Sequence, residues 1–350
     1  MKKIIQTAIV GYGLSGRYFH APFLHVHPGF RVIKVLERKG ETSKEFFPKA
    51  EVVRDLESII NDPKIHLVVI ATPNDLHYPM VKSCLQKGKH VVIEKPFTLT
   101  SKEADELVSL ADKKKLKIFV YHNRRWDGDF LTIQKLLKSG ALGEINEFEA
   151  HFDRYRPKLT TRLWREEEKN GGGVLYDLGP HLIDQALQLF GKPDKLFAKI
   201  EAQRKSGKVD DYFRLVLAYG KMKAILTAGM LVKDLGPRYI IHGIIGSFVK
   251  YGIDPQEGEL RKGELPGSEM WGIEDPDKWG LVTIDYDDMN IHGSVETEHG
   301  NYMGFYSNVY DVITKKAVMA VKPSEARNVI RIIELARESN AKKNEIKVKF

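Results

Sequence analysis

The chain contains one cysteine, Cys84, among its 350 residues. A single thiol cannot form an intrachain disulfide, and it cannot build a zinc site of the kind that uses several cysteines. Because Cys84 lies in a segment with helical apolar periodicity, MVKSCLQKG, we interpret it as a buried structural thiol rather than a reactive one. Disulfide scaffolds and cysteine-based metal centres are therefore excluded.

Long hydrophobic runs are also missing. No segment approaches the roughly 20 apolar residues that a membrane-spanning helix requires. The first residues, MKKIIQTAIVGYG, pass directly into a Gly-rich turn without a small-residue cleavage site. We therefore expect a cytoplasmic protein that has no membrane partner.

An excess of clustered positive charge is absent as well, although the net charge is +8. The 55 basic residues are spread along the chain and mixed with 47 acidic ones, whereas nucleic-acid-binding proteins gather their cations on one face. The densest clusters, 113–115 and 342–343, fall at the ends of predicted helices, where lysines suit the helix dipole. We predict a solvated charged surface and no nucleic-acid partner.

The first 123 residues alternate short β-rich apolar runs with segments of helical periodicity. The runs are IIQTAIV, RVIKVLE, HLVVIAT, HVVIEKP and KIFVYHN. Nearly continuous apolar strands separated by helices are typical of parallel sheets that are covered on both faces. The pattern predicts an α/β domain over residues 1–123, a doubly wound parallel sheet of the Rossmann type.

The pattern changes after residue 123 to longer stretches in which polar and apolar residues alternate. They include INEFEAHFDRYR, KLFAKIEAQR, DDYFRLVLAYG and MKAILTAGMLV. Such alternation indicates antiparallel strands with one solvated face. With two helical segments, GGGVLYDLGPHLIDQALQLF and SEARNVIRIIELARES, they predict an α+β domain over residues 124–350 with an open, mainly antiparallel sheet.

A glycine-rich turn follows the first predicted strand and matches G-x-G-x-x-G. In this context the first glycine permits a tight turn, the second lets a pyrophosphate approach the backbone, and the third lets the following helix pack closely. A Gly-rich surface turn without function is the alternative. The predicted cofactor-binding residues of the turn are Gly11, Gly13, Leu14, Ser15 and Gly16.

Three charged residues end the second predicted strand. A carboxylate at Glu37 is expected to accept hydrogen bonds from the adenosine ribose, which favours NAD. Arg38 and Lys39 follow at once and favour NADP, because a cation there pairs with the 2′-phosphate while Glu37 turns aside. A charged, solvated loop is the alternative interpretation, and the residues alone leave the choice of cofactor open.

Polar residues also end the predicted strands HLVVIAT and HVVIEKP, at the sheet edge where doubly wound folds bind their ligands. Lys95 lies at the end of HVVIEKP, and its ammonium is suited to stabilise alkoxide character on a reacting oxygen. A purely structural lysine is the alternative. The neighbouring positions predicted to line the cofactor are Thr72, Pro73, Asn74, His77 and Glu94.

A second polar group lies in the helical segment of the later domain. Asp177, His181 and Asp184 are spaced to share one helix face, and Pro180 suggests that the helix proper begins near Gly179. His181 then lies in the first turn, where the helix dipole disfavours protonation of its ring and suits it to act as a base. A core histidine and a metal site are the alternatives, and we expect no metal.

The last predicted strand of the first domain, KIFVYHN, leads into YHNRRW, and RYR and LWR follow in the second domain. Asn123 is expected to lie near the nicotinamide end of the cofactor. Arg125, Tyr155 and Trp164 are expected to contact substrate hydroxyl groups. A charged strand face and loop are the alternative for the later residues.

The Gly-rich turn, the strand-end E-K-P and the D-x-G-x-H-x-x-D helix, in that order, resemble the glucose-fructose oxidoreductase/inositol dehydrogenase (Gfo/Idh/MocA) family. Further segments, YHNRRWDGDFLTIQKL, LYDLGPHLIDQALQLFG and PRYIIHG among them, resemble the subgroup that contains NADP-dependent scyllo-inositol dehydrogenases. The resemblance implies that Lys95 is the catalytic lysine, His181 the acid/base residue, and Asp177 a carboxylate that orients His181 or binds a substrate hydroxyl. It also implies that the second domain forms a homodimer or homotetramer.

The expected function is therefore hydride transfer between NADP or NAD and a CH–OH group of a polyol or sugar, with an inositol and NADP favoured by the resemblance. The charged triplet at 37–39 departs from the subgroup, which has a small-hydroxyl pair followed by arginine. The alternatives are the same fold acting on another sugar or carbonyl, and a non-catalytic NAD(P)-sensing regulator.

Overall fold

The computed structural model describes residues 3–159, 171–205 and 207–350. These residues form two compact units that are each discontinuous in the sequence. The first unit comprises Met1–Asn123, Gln256–Trp271 and Asn301–Arg327, and the second comprises Arg124–Pro255, Gly272–Gly300 and Asn328–Phe350. Within the described ranges, no helix combines the length and the apolar character needed to cross a membrane.

The strands are β1 Ile5–Val10, β2 Phe30–Leu36, β3 Glu51–Val53, β4 Leu67–Ile70, β5 His90–Ile93, β6 Ile118–Val120, β7 Ile145–His151, β8 Lys195–Glu201, β9 Tyr212–Tyr219, β10 Met222–Gly229, β11 Tyr239–Gly243, β12 Gly246–Lys250, β13 Gly280–Tyr286, β14 Met289–Val295 and β15 Ile346–Lys347. The helices are α1 Ala21–Val26, α2 Glu57–Ile60, α3 His77–Gln86, α4 Ser101–Lys113, α5 Gly128–Ser139, α6 Val174–Asp177, α7 Gly179–Phe190, α8 Gln256–Lys262, α9 Met303–Lys315 and α10 Pro323–Lys342.

The first unit contains a six-stranded parallel sheet in the order β3-β2-β1-β4-β5-β6. All four residues of β4 are buried, as are the last three of β5, because helices cover both faces of a doubly wound sheet. The strand order reverses direction at β1 and β4, which is where such folds bind dinucleotides. The predicted Rossmann-type sheet is confirmed.

Two late segments, 256–271 and 301–327, belong to the first unit, although the sequence pattern assigned them to the second domain. Aromatic packing is the physical reason for this difference. The ring of Phe305 lies edge-on to that of Tyr121 at 4.8 Å between centroids, and the ring of Tyr306 is stacked on Phe23 at 6.0 Å. A helix with buried aromatics at these positions gains most of its stability from the core that it covers.

The second unit contains a nine-stranded sheet in the order β14-β13-β12-β11-β7-β10-β9-β8-β15. Every neighbouring pair is antiparallel except β7 and β10, which run parallel. The predicted α+β fold with an open, mainly antiparallel sheet is therefore confirmed. Helix α7, which carries His181, contacts β10 in this unit.

Candidate active site

The carboxyl ends of the parallel strands bring the predicted cofactor residues to one edge of the first unit. Gly11 follows β1, Glu37 follows β2, Thr72 lies two residues beyond β4, Lys95 lies two residues beyond β5, and Asn123 lies three beyond β6. This is the edge at which open α/β sheets bind ligands. Asn123 is buried there and begins a 3₁₀ turn, Asn123–Trp126.

The glycine-rich turn has the geometry that its spacing predicts. Gly11 has φ +91°, and a Cβ at this position would lie 2.6 Å from the carbonyl oxygen of Ala71. A Cβ on Gly16 would lie 2.2 Å from the carbonyl oxygen of Gly11, whereas one on Gly13 would meet no atom within 4 Å. Gly11 and Gly16 are therefore required by the protein itself, and Gly13 leaves open space beside the backbone.

The open space at Gly13 is the cradle that a pyrophosphate needs. Helical backbone begins at residue 14, so its first N–H groups lie next to that space and favour an anion. The hydroxyl oxygen of Thr72 is buried without a hydrogen-bond partner among the described residues. These features fit a dinucleotide, and residues 11–16 and Thr72–Asn74 would hold it.

Glu37 has a different role from the one expected. Its carboxylate accepts four hydrogen bonds, from the backbone N–H and the hydroxyl group of both Thr42 and Ser43. Burial acts to raise the pKa of Glu37, but these four bonds outweigh it and lower the pKa. Because a carboxylate has about four acceptor positions, the ribose-binding role predicted for Glu37 has no acceptor left.

Arg38 and Lys39 are exposed next to this saturated carboxylate. Arg54 stabilises the loop that carries them, because its guanidinium donates hydrogen bonds to the carbonyl oxygens of Glu37 at 2.9 Å and Gly40 at 2.8 Å. Glu37 therefore turns aside, as the sequence interpretation required for NADP. The two cations remain available to a phosphate.

Lys95 is half-buried at the end of β5, and its neighbour Glu94 is buried. The carboxylate of Glu94 accepts hydrogen bonds from the Ser15 hydroxyl, from His20 Nε2 at 3.1 Å and from the backbone N–H of Lys95 at 3.1 Å. Burial acts to raise the pKa of Glu94, but the bonds from His20 and Ser15 and the charge of Lys95 lower it overall. The side chains of Glu94 and Ser15, both predicted to bind the cofactor, thus bond to each other.

His77 is also committed to the protein rather than exposed at the edge. It is fully buried at the first residue of α3, with Nδ1 2.7 Å from the carbonyl oxygen of Pro96 and Nε2 3.1 Å from that of Thr72. Its predicted cofactor contact is therefore replaced by a link between the residues that follow β4 and those that follow β5. Asn74, in a 3₁₀ turn just before α3, is buried as well.

In the second unit, α7 begins at Gly179 with Pro180 in its first turn, as the sequence predicts. His181 is 7% exposed in that turn, and its ring lies 6.2 Å from that of Phe152. Asp177 lies just before the cap residue Leu178, as the sequence predicts, but it also ends a separate short helix, α6. The change of helix after Asp177 means that the two residues do not lie on consecutive turns of one helix.

Asp177 is partly exposed and lies close to a cation. The distance from Arg154 Nη1 to Asp177 Oδ2 is 4.0 Å, and the guanidinium of Arg154 lies over the Phe152 ring at 5.0 Å. Arg124 and Arg238 also lie over this ring, at 4.9 and 4.3 Å. His181 and three guanidinium groups thus all lie close to the buried ring of Phe152.

Arg125 was expected to contact substrate, but its fork is bound to a buried carboxylate. Its Nε and Nη2 donate to the two oxygens of Asp184 at 2.8 and 2.6 Å, and both residues are buried. This bidentate pair connects the 3₁₀ turn after β6 to α7. Arg125 therefore holds the helix that carries His181, and Asp184 faces Arg125.

Two further residues, Tyr155 and Trp164, were predicted to contact substrate. Tyr155 is 52% exposed and forms an isolated β-bridge with Leu231. Trp164 lies outside the described residues. Within the described residues, no three His, Cys, Asp or Glu side chains converge as metal ligands would.

The sequence patterns did not predict several residues of the candidate site. His20, Tyr306 and Phe152 lie in ordinary amphipathic segments, and each gains its role from a contact with a residue that is distant in the sequence. His20 Nδ1 lies 2.7 Å from the Tyr306 hydroxyl, 286 positions further along the chain. The only available signal was a histidine four residues after the last glycine of the turn.

The glycine geometry leads to a paired prediction. Gly16→Ala is expected to lower the free energy of unfolding by about 1–3 kcal/mol, because its Cβ would overlap the Gly11 carbonyl. Gly13→Ala is expected to leave stability within about 0.5 kcal/mol but to weaken NADPH binding tenfold or more, because the methyl group occupies the phosphate cradle. Urea unfolding without cofactor and fluorescence titration with NADPH measure the two effects. Wild-type NADPH affinity in Gly13→Ala would remove the turn from the cofactor site.

Two family models cover most of the chain. Residues 5–122 match the NAD-binding Rossmann fold of the Gfo/Idh/MocA oxidoreductase family, and residues 134–350 match its C-terminal alpha/beta domain. The chain is 47% identical to scyllo-inositol 2-dehydrogenase (NADP⁺) IolW of Bacillus subtilis over 98% of this chain and 95% of that protein. It is 42% identical to the uncharacterised oxidoreductase YdgJ of Escherichia coli over 97% of each.

A solved structure agrees with these matches. The structure of YvaA from Bacillus subtilis superimposes with a TM-score of 0.97 at 45% identity, covering all of this chain and 99% of that one. Two family models that together span both units, and relatives matched along nearly their whole length, show that the chain belongs to the Gfo/Idh/MocA family of oxidoreductases.

Proposed function

We propose that the protein is an NADP-dependent dehydrogenase of scyllo-inositol or a closely related cyclic polyol. The observation that supports this most strongly is the 47% identity to IolW over nearly the full length of both chains. The strand-end lysine and the first-turn histidine, which the resemblance gives as the reacting groups, add chemical support. A purely NAD(P)-sensing protein would need neither group.

In the proposed mechanism two residues act on the reacting hydroxyl group. His181 accepts the proton of the reacting hydroxyl group, and the ammonium of Lys95 donates a hydrogen bond to the oxygen as it gains negative charge. The hydride leaves the carbon that bears this oxygen, so that a ketone forms. When bound, NADP⁺ supplies the acceptor for that hydride.

Asp177 has the supporting role in this proposal, as the carboxylate that orients His181 or binds a neighbouring hydroxyl group. In either role the carboxylate faces the guanidinium of Arg154, whose Nη1 lies 4.0 Å from Asp177 Oδ2. Tyr155 and Trp164 remain candidates for contacts with the other hydroxyl groups. Arg125 is better assigned to the support of α7, because Asp184 occupies its fork.

The preference for NADP rests on the loop after β2. Glu37 is saturated by Thr42 and Ser43, so its carboxylate has no acceptor position left for the ribose diol, and Arg38 and Lys39 are exposed beside it. We propose that these two cations pair with the 2′-phosphate of NADP. The same fold acting on another sugar is the competing function, and a substrate panel separates the two.

Lys95→Ala and His181→Ala are each expected to lower kcat/KM for scyllo-inositol by about 10²–10⁴-fold, because each removes a group that acts on the reacting hydroxyl. Absorbance at 340 nm with a panel of inositols, sugars and their ketones measures the activity. Lys102→Ala and His292→Ala, at exposed positions, are the matched controls and should retain wild-type rates. Full activity in both site variants would show that the assignment of these residues is wrong, and a sugar preferred over every inositol would show that the substrate is wrong.

Replacing both Arg38 and Lys39 by alanine is expected to raise the KM for NADP about 10²–10⁴-fold, because two charge-assisted bonds to phosphate are lost and each is worth about 1.5–3 kcal/mol. The KM for NAD should change less than about threefold, since NAD lacks the 2′-phosphate. Lys49→Ala, an exposed lysine of the same unit, is the control. An equal rise in both KM values would contradict the assignment of these cations to the phosphate.

A further inference from the structure

The two residues on either side of Lys95 are each held by a buried histidine. Glu94 accepts a hydrogen bond from His20, and the carbonyl of Pro96 lies against His77. Both histidines are 0% exposed. A lysine at the end of a short strand therefore has fixed neighbours on both sides.

Both ring nitrogens of His20 have a hydrogen-bond partner. An ionised Glu94 can only accept, so Nε2 of His20 donates to it. Nδ1 lies 2.7 Å from the buried hydroxyl oxygen of Tyr306. The result is a chain from Tyr306 through His20 to Glu94, and Glu94 in turn accepts from the backbone N–H of Lys95.

His77 secures the other side. Burial lowers the pKa of His77, so the neutral ring donates through one nitrogen only. The shorter contact, 2.7 Å from Nδ1 to the carbonyl oxygen of Pro96, is the one that fits this donation. The remaining nitrogen lies against the Thr72 carbonyl, so the ring sits between the residues after β4 and those after β5.

Apolar packing alone does not account for these two histidines. Most buried side chains of the unit are aromatic or aliphatic, and apolar residues of similar shape can fill such positions with little or no cost. Each histidine instead bonds to a residue adjacent to Lys95, and a displacement of about 1 Å in a reacting group is enough to cost about 10²-fold in rate.

We infer that His20 and His77 are positioning residues that fix the backbone at Lys95, with the Tyr306 hydroxyl holding the ring of His20 in place. The kinetic consequence rests on the proposed function, in which Lys95 acts on the reacting oxygen. The effect on the lysine itself does not depend on any substrate.

The test compares His20→Phe and His77→Phe with His20→Gln and His77→Gln. Phenylalanine keeps the ring volume but removes the donor, whereas glutamine keeps an amide N–H that can donate. His25→Phe is the matched control, because His25 is an exposed histidine of the same unit whose Nδ1 contacts the carbonyl of Phe46. For each variant we would measure kcat and KM with scyllo-inositol, the dissociation constant for NADPH, and the acetylation of Lys95 by acetic anhydride as a function of pH, read by peptide mass spectrometry.

Both phenylalanine variants are expected to lose about 10–100-fold in kcat while the NADPH dissociation constant changes less than about threefold, and the glutamine variants should recover most of that loss. The acetylation rate of Lys95 should change by more than about threefold relative to the other lysines, because its ammonium group is no longer held at the same distance from the Glu94 carboxylate. His25→Phe should change neither quantity.

Two results would overturn the inference: unchanged Lys95 acetylation in both phenylalanine variants, or equal losses in kcat and NADPH affinity, which a general loss of structure produces. If the wild-type protein oxidises no inositol, the proposed function fails. The acetylation of Lys95 then decides the positioning role by itself.

Discussion

The buried carboxylate of Glu94 is the interaction on which the first unit's functional edge depends. It connects Ser15 in the phosphate-binding turn, His20 in the following helix and the backbone of Lys95. A buried charge is tolerated only when its acceptor positions are satisfied, so the three donors must be in place together. The segment that would hold the pyrophosphate and the segment that carries the lysine are therefore parts of one hydrogen-bonded network.

The second unit supports its own candidate residue in a comparable way. The buried bidentate pair between Arg125 and Asp184 attaches α7 to the turn after β6, and His181 lies in the first turn of that helix. Removing one partner of such a pair leaves an uncompensated charge and costs about 3–5 kcal/mol. In both units, a charged residue that the sequence analysis predicted to contact a ligand instead holds the element that carries the proposed reacting group.

The sequence predicted the features that local patterns determine. The Gly-rich turn, the strand-end position of Lys95 and the start of α7 at Gly179 follow from backbone geometry and hydrophobic period, and the structure reproduces all three. The partners of individual polar side chains were not predictable. The saturation of Glu37 depends on a turn that folds back from residues 42–43, and the role of His20 depends on Tyr306 in a segment that returns to the first unit late in the chain.

NADP-dependent oxidation of a cyclic polyol can be tested directly by following the transfer of deuterium from the polyol to the cofactor. The protein would be incubated with NADP⁺ and scyllo-inositol deuterated at carbon, and the reduced cofactor would be analysed by mass spectrometry. The expected product is NADPH that carries one deuterium atom for each molecule of ketone formed. Absence of cofactor reduction, or reduction without deuterium in the product, would contradict it.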